Sequence, residues 1–290
     1  DLAVRDKSGF ATLAERANRG LHTLAPFIAM FFGFVAFAAV PFGDVLRIAG
    51  REISLQVADI NVGLLYVLAM MSMIVYGVVL AGFASNNNYS LLGGLRATSQ
   101  MLSYEIAMGV SLIGLVAVYG TVDLAEMVRR QGGFLFGFLP AWGFFLQPLA
   151  FFIFVTAGIA SSKRIPFDIP EGESEIIGYF LEYSGMKFGM FMFADFVETV
   201  LIASLTTVLF FGGWQIQWVP GDAPYSVWLA LARIGAFTVK VCFFCWLFMT
   251  IRWTLPRFRY DQLMRLGWKG MLPLALANIL VTAFVMLICR

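Results

Sequence analysis

Long apolar stretches separated by short polar segments recur along the chain, at about 24–43, 60–83, 97–120, 135–160, 184–214, 227–253 and 268–289. Each can carry the ~20 helical residues that cross a ~30 Å hydrocarbon layer. They are continuously apolar and rich in Leu, Met, Ala and Phe, unlike the short alternating segments of a membrane β-barrel. The pattern predicts an all-α, polytopic membrane helix bundle with seven transmembrane helices.

Composition agrees with the pattern and removes its rivals. Of 290 residues, 60% are hydrophobic and only 13% charged, where a soluble domain has about 25% charged. A water-soluble enzyme, a disordered chain and a nucleic-acid binder are excluded on that ground. Three cysteines and one histidine are too few for a structural zinc site, a haem or an iron–sulfur cluster, so neither a metal nor a prosthetic group is expected on this chain. The sequence begins at Asp1, and residues 1–23 are polar and mixed in charge rather than a signal peptide. Further chain is expected upstream, with 1–23 as the end of a truncated loop and 24–290 as the transmembrane domain.

The net charge of +2 carries little, but its distribution sets the orientation. Thirteen cations fall in the loops of one side: Arg5, Lys7, Arg16, Arg19, Arg96, Lys163, Arg164, Lys187, Arg252, Arg257, Arg259, Arg265 and Lys269. The other side has five, Arg47, Arg51, Arg129, Arg130 and Arg290. By the positive-inside rule the first set is cytoplasmic, which puts the first helix's start inside and the C-terminus outside.

Five ionisable residues interrupt the apolar runs: Glu105, Asp195, Glu198, Arg233 and Lys240. Each costs at least ~2.5–3.5 kcal/mol unless it faces a partner or a wet cavity. At 1.5 Å rise per residue, Glu105 lies ~12 Å, Asp195 ~15 Å and Lys240 ~16 Å from the inner end of its helix. Three charges on three helices at one level predict a buried polar layer able to carry protons, the alternative being inert ion pairs. Asp195 and Glu198 share a face at i, i+3, whereas Arg233 is placed near the outer interface, within reach of water.

The inside loop at about 161–183 is the other candidate. Asp168, Glu171, Glu173 and Glu175 crowd into a few residues stiffened by Pro166 and Pro170, with Glu182 further on. Neighbouring carboxylates repel when all are ionised and take up protons more readily than isolated ones. The loop reads as a proton reservoir, against the plainer reading of a solvated turn. Cys242 and Cys245 lie inside an apolar helix and read as packing, His22 as an interfacial residue, and no nucleotide-binding glycine pattern is present.

Six segments together resemble one family. They are Ala58-Asp59-Ile60-Asn61-Val62-Gly63-Leu64-Leu65-Tyr66; Gly82-Phe83-Ala84-Ser85-Asn86 running to Leu95-Arg96; and Ser103-Tyr104-Glu105. Pro166-Phe167-Asp168 with Glu171-Gly172-Glu173-Ser174-Glu175, Glu182-Tyr183-Ser184-Gly185-Met186-Lys187-Phe188, and Pro256-Arg257-Phe258-Arg259-Tyr260-Asp261-Gln262-Leu263-Met264 complete the set. In this order they resemble the quinone-site membrane subunit of respiratory complex I, the family called NADH dehydrogenase subunit 1 in mitochondria.

The resemblance implies an eight-helix subunit forming part of the quinone tunnel and the start of the proton-coupling path, so that seven helices are eight without the first. It implies a proton path through Glu105, Asp195, Lys240, Glu171, Glu173, Glu175 and Glu182. It implies quinone binding beside Arg164, Phe167, Asp168 and Phe188, with quinone as substrate. NADH, FMN and the iron–sulfur clusters belong to partner subunits of the peripheral arm, other complex I membrane subunits lie alongside, and the location implied is a bacterial inner membrane rather than a mitochondrial one. Asp195 stands where the family usually has glutamate, Ser161 also replaces a glutamate, and the Glu175-to-Glu182 spacing is one residue short. Two alternatives remain open: the related subunit of a membrane-bound hydrogenase or other-donor oxidoreductase, and a stand-alone ion or solute transporter.

Overall fold

The computed structural model describes residues 9–48, 51–135, 139–169, 178–180, 182–216 and 227–288. It is helical apart from two small antiparallel hairpins, β1 (Val45–Ile48) with β2 (Arg51–Ser54) and β3 (Phe134–Leu135) with β4 (Leu139–Pro140). The helices are α1 (Gly9–Ala36), α2 (Gly63–Ala84), α3 (Asn88–Tyr119), α4 (Leu124–Arg130), α5 (Gly143–Leu146), α6 (Pro148–Ser161), α7 (Met186–Phe210), α8 (Val227–Thr254), α9 (Tyr260–Arg265) and α10 (Leu272–Ile288). A π-helical stretch, Leu266–Met271, joins α9 to α10, so that 260–288 runs as one continuous span.

Among the described residues six helices are long and apolar enough to cross a membrane: α1, α2, α3, α7, α8 and the α9–α10 span. The remaining apolar run, 135–160, is divided instead of forming one long helix. Gln147 adopts φ −140° and ψ 66° between α5 and α6, because the Pro148 ring excludes helical geometry from the residue before it and supplies no N–H. The break is secured from outside. Gln147 Nε2 donates to Thr282 Oγ1 at 2.7 Å, and Asn278 Nδ2 donates to Gln147 Oε1 at 3.0 Å, tying the interruption to α10.

Pairwise packing runs α1–α2–α3–α6–α7 and back to α1, with α8 laid on α7 and α10 on α3 and α6. Small residues permit the close approaches, as expected where lipid gives no hydrophobic drive between helices. A Cβ on Gly77 would meet Ala29 Cβ at 2.9 Å across α1–α2, and one on Gly158 would meet Ile202 Cγ2 at 2.5 Å across α6–α7. α7 is the most enclosed span, whereas α8 and α10 expose most of their apolar surface. The most enclosed member of the circuit is therefore the helix that carries Asp195 and Glu198. The end holding the α2–α3, α6–α7 and α8–α9 connections carries the larger set of loop cations and is called the inner end after the positive-inside expectation.

Candidate functional site: a buried charge cluster at the inner end

Helix α6 stops at Ser161, and the chain turns through Lys163 at φ 54°, a left-handed conformation uncommon for a residue with a side chain. The turn sends the Lys163 side chain back into the bundle. Its Nζ lies 2.6 Å from Asp195 Oδ1 and donates to the Tyr179 hydroxyl at 3.4 Å. One helical turn along α7, Glu198 is almost fully buried, and its Oε1 accepts from Ser161 Oγ at 3.0 Å. Across the bundle, Ser72 on α2 donates to Glu105 Oε2 on α3 at 2.8 Å.

Several polar atoms at this end lack a hydrogen-bond partner: Glu198 Oε2, Glu105 Oε1, Gln100 Oε1 and Arg164 Nη2. Buried polar groups are nearly always paired, and exceptions cluster where a site must change state or hold something.

The adjoining loop contains three of the four residues expected at the quinone site. Asp168 is buried, with its Oδ2 3.2 Å from Arg257 Nη2. Phe167 stacks on Phe258 at 5.4 Å between ring centres and leans on Tyr104 at 5.9 Å. The Arg164 guanidinium sits 4.2 Å over the Phe196 ring. Gln100 holds this loop from α3, its Nε2 donating to the carbonyls of Ala160 at 2.7 Å and Phe167 at 2.5 Å. The connection before α9 closes the other side through Phe258 N–H to Pro166 O at 3.0 Å. Arg164, Phe167 and Asp168 thus meet the segment 256–264 singled out in the sequence. Phe188 is elsewhere, packed on Phe180 at 5.6 Å.

Not every expected charge joins the layer. Lys240 does not meet Glu105 and Asp195. Its Nζ donates to the carbonyls of Phe211, Gly213 and Gln215 at 2.8, 3.0 and 2.9 Å, and it lies 5.2 Å from the Trp142 ring centre. Those carbonyls follow the outer end of α7, where a cation offsets the negative end of the helix dipole. Glu182 is exposed and accepts from Asn87 Nδ2 at 2.9 Å, beside the N-terminus of α3. Glu171, Glu173 and Glu175 lie outside the described residues.

Sequence reasoning places Lys163 among the loop cations and misses that it provides the positive charge nearest the carboxylates. It also misses the contact between Ser161 and Glu198, which joins two helices. His22 stacks on Tyr183 at 3.9 Å and meets Lys187 Nζ at 3.1 Å through Nδ1. Cys242 and Cys245 are free thiols. Among the described residues no group of three His, Cys, Asp or Glu is placed to hold a metal ion.

Comparison with known proteins supplies the context of this site. The family model described as NADH dehydrogenase matches residues 11–283. An NADH-quinone oxidoreductase subunit of type H from Cytophaga hutchinsonii is 44% identical over 271 residues, covering 93% of this chain and 78% of that protein. The subunit of the same type from Protochlamydia amoebophila is 46% identical over 269 residues, covering 92% and 77%. One from Rhizobium meliloti is 44% identical over 274 residues, covering 94% and 78%. The match spans every element that builds the buried cluster and its loop, and on it the chain belongs to the NADH dehydrogenase family.

Proposed function

We propose that this chain is a multi-pass membrane subunit of a proton-translocating NADH:quinone oxidoreductase in a bacterial inner membrane. In this reading it contributes to the quinone tunnel and begins the path that couples quinone reduction to proton movement. The observation that carries the reading is the group of two buried carboxylates, Asp195 and Glu198, with the half-buried Glu105, inside an otherwise apolar bundle and served by Lys163. So many ionisable groups inside membrane helices are too costly to retain as filler.

The chemistry follows from their position. Arg164, Phe167 and Asp168 offer a cation, an aromatic face and a carboxylate to a quinone headgroup. Reduction to quinol takes up one proton for each electron, and the electrons come from partner subunits carrying FMN and iron–sulfur clusters. The resulting change of charge at the loop is felt by Glu105 and Asp195, whose protonation or pairing shifts in response. Glu171, Glu173, Glu175 and Glu182 take the part of a proton reservoir in this reading. Lys240 has a positioning part, since its N–H groups are committed to the outer end of the helix that carries Asp195.

The test uses the whole complex in sealed vesicles. Glu105→Gln is expected to reduce proton pumping per assembled complex by about tenfold or more, short of the ~10²–10⁴ that a positioned proton-transfer group contributes. Phe167→Ala is expected to raise the quinone KM with the complex still assembled. Unchanged pumping in the first variant and unchanged KM in the second would remove the reading.

A further inference from the structure

Two carboxylates lie one helical turn apart on the same face of α7, yet their surroundings differ. Asp195 is in direct contact with the Lys163 ammonium at 2.6 Å, as one half of an ion pair. Glu198 has only a hydroxyl for a partner, Ser161 Oγ at 3.0 Å from Oε1. Its other oxygen, Oε2, is buried without a partner. Glu105 on α3 shows the same condition: it is bonded through Oε2 to Ser72, while its Oε1 is buried and unpartnered. A hydroxyl both donates and accepts, so the Ser161 contact survives whether Glu198 is a carboxylate or an acid. The ion pair of Asp195 would not survive protonation in the same way.

We propose that Glu198 is the proton-carrying residue of the inner cluster, taking up and releasing a proton at its Oε2, with Lys163–Asp195 as the fixed ion pair beside it and Ser161 as its support. The proposal deepens the function proposed above and rests on it. On uptake an O–H bond forms at Glu198 Oε2 as one breaks on a hydronium ion, which leaves as water, and release is the reverse. Beside Glu198 stand Ser161 at the end of α6 and, one turn back on its own helix, Asp195 with the Lys163 ammonium. A serine at position 161 is then no interruption of the route, because the carboxylate is supplied from the facing helix across a single hydrogen bond.

The test is a rescue. In the assembled complex Glu198→Gln is expected to lower proton pumping at least about tenfold. It should also remove a carboxyl C=O band from the infrared difference spectrum recorded on reduction with NADH. Adding Ser161→Glu to Glu198→Gln puts a carboxylate on the other side of the same contact, and is expected to restore both pumping and the band. A Glu198→Gln complex that pumps normally and keeps the band, or a double variant that restores neither, overturns the assignment. If Glu198→Gln fails to assemble, Ser161→Ala decides: the band must persist and shift in frequency for loss of its hydrogen bond, and an unmoved band overturns the proposal. A wild-type complex that reduces no quinone with NADH would instead count against the function proposed above.

Discussion

Buried and half-buried charge gathers at both ends of this bundle, but it is satisfied in different ways. At the outer end Arg233 Nη1 meets Asp44 Oδ2 at 2.5 Å, with Arg129 within 4.0 Å of the same carboxylate. Arg130 donates to the Tyr119 carbonyl and pairs with Glu126. Lys240 directs its N–H groups at three carbonyls. At the inner end Glu105, Glu198, Gln100 and Arg164 each keep one buried polar atom unpaired, and every such atom found among the described residues lies there. A saturated network fixes helices in place and has nothing left to exchange, whereas an incompletely satisfied one can change protonation or take a ligand at low cost. Charge within a membrane therefore does not mark function by itself; the incomplete pairing distinguishes the two ends.

The largest expected effect tests the inner ion pair. Asp195→Ala leaves the Lys163 ammonium buried opposite an apolar side chain, and breaking such a pair costs about 3–5 kcal/mol. The expected result is a large loss of assembled complex and a lower thermal midpoint. Adding Lys163→Met removes both charges and is expected to recover most of that stability, because replacing a whole buried pair by apolar groups is close to neutral. Pumping should remain impaired in the double variant. Full recovery of pumping would place the pair among structural supports, like those at the outer end.

An intermediate effect tests the outer end in the same terms. Lys240→Met strips a donor from the carbonyls of Phe211, Gly213 and Gln215 and is expected to cost on the order of 1–3 kcal/mol, the range for leaving buried acceptors unmatched. Thermal inactivation of the complex reads this directly. Pumping per assembled complex is expected to hold. If stability holds and pumping falls, Lys240 belongs to the proton path and the contrast between the ends fails.

How far the sequence revealed this contrast depends on the range of the interaction. The membrane helices follow from runs of apolar residues, and the shared face of Asp195 and Glu198 follows from helical spacing, both local properties. The interruption of 135–160 is also written locally in Gln147-Pro148, but an apolar run with no polar gap hides it. Lys163 cannot be read as a bundle residue, because its direction depends on a left-handed turn at a position where sequence sets no strong requirement for one. Depth arithmetic places Lys240 beside Glu105 because it locates the backbone. A long flexible stem carries the ammonium away from that level, to carbonyls exposed by a turn through Gly212 and Gly213 at φ 68° and 49°. The Ser161–Glu198 contact joins the end of α6 to the body of α7, 37 positions apart in the chain, and no spacing rule brings those residues together.

The smallest expected effect bounds the comparison from the water-exposed side. Glu126 on α4 contacts Arg130 Nε at 3.0 Å and Arg129 Nη1 at 3.9 Å, and all three side chains are well exposed. Exposed pairs of this kind are worth ~0.2–1 kcal/mol and are screened by salt. Glu126→Gln is therefore expected to change the thermal midpoint little, with the residual difference fading as ionic strength rises, and to leave pumping per complex as it was. Because Arg129 also reaches Asp44, the variant serves as a control for the buried Asp44–Arg233 pair as well. A loss as large as that of Lys240→Met would mean that α4 transmits its surface charge into the Asp44–Arg233 contact, and that the outer network is one cooperative unit reaching from solvent to helix α8.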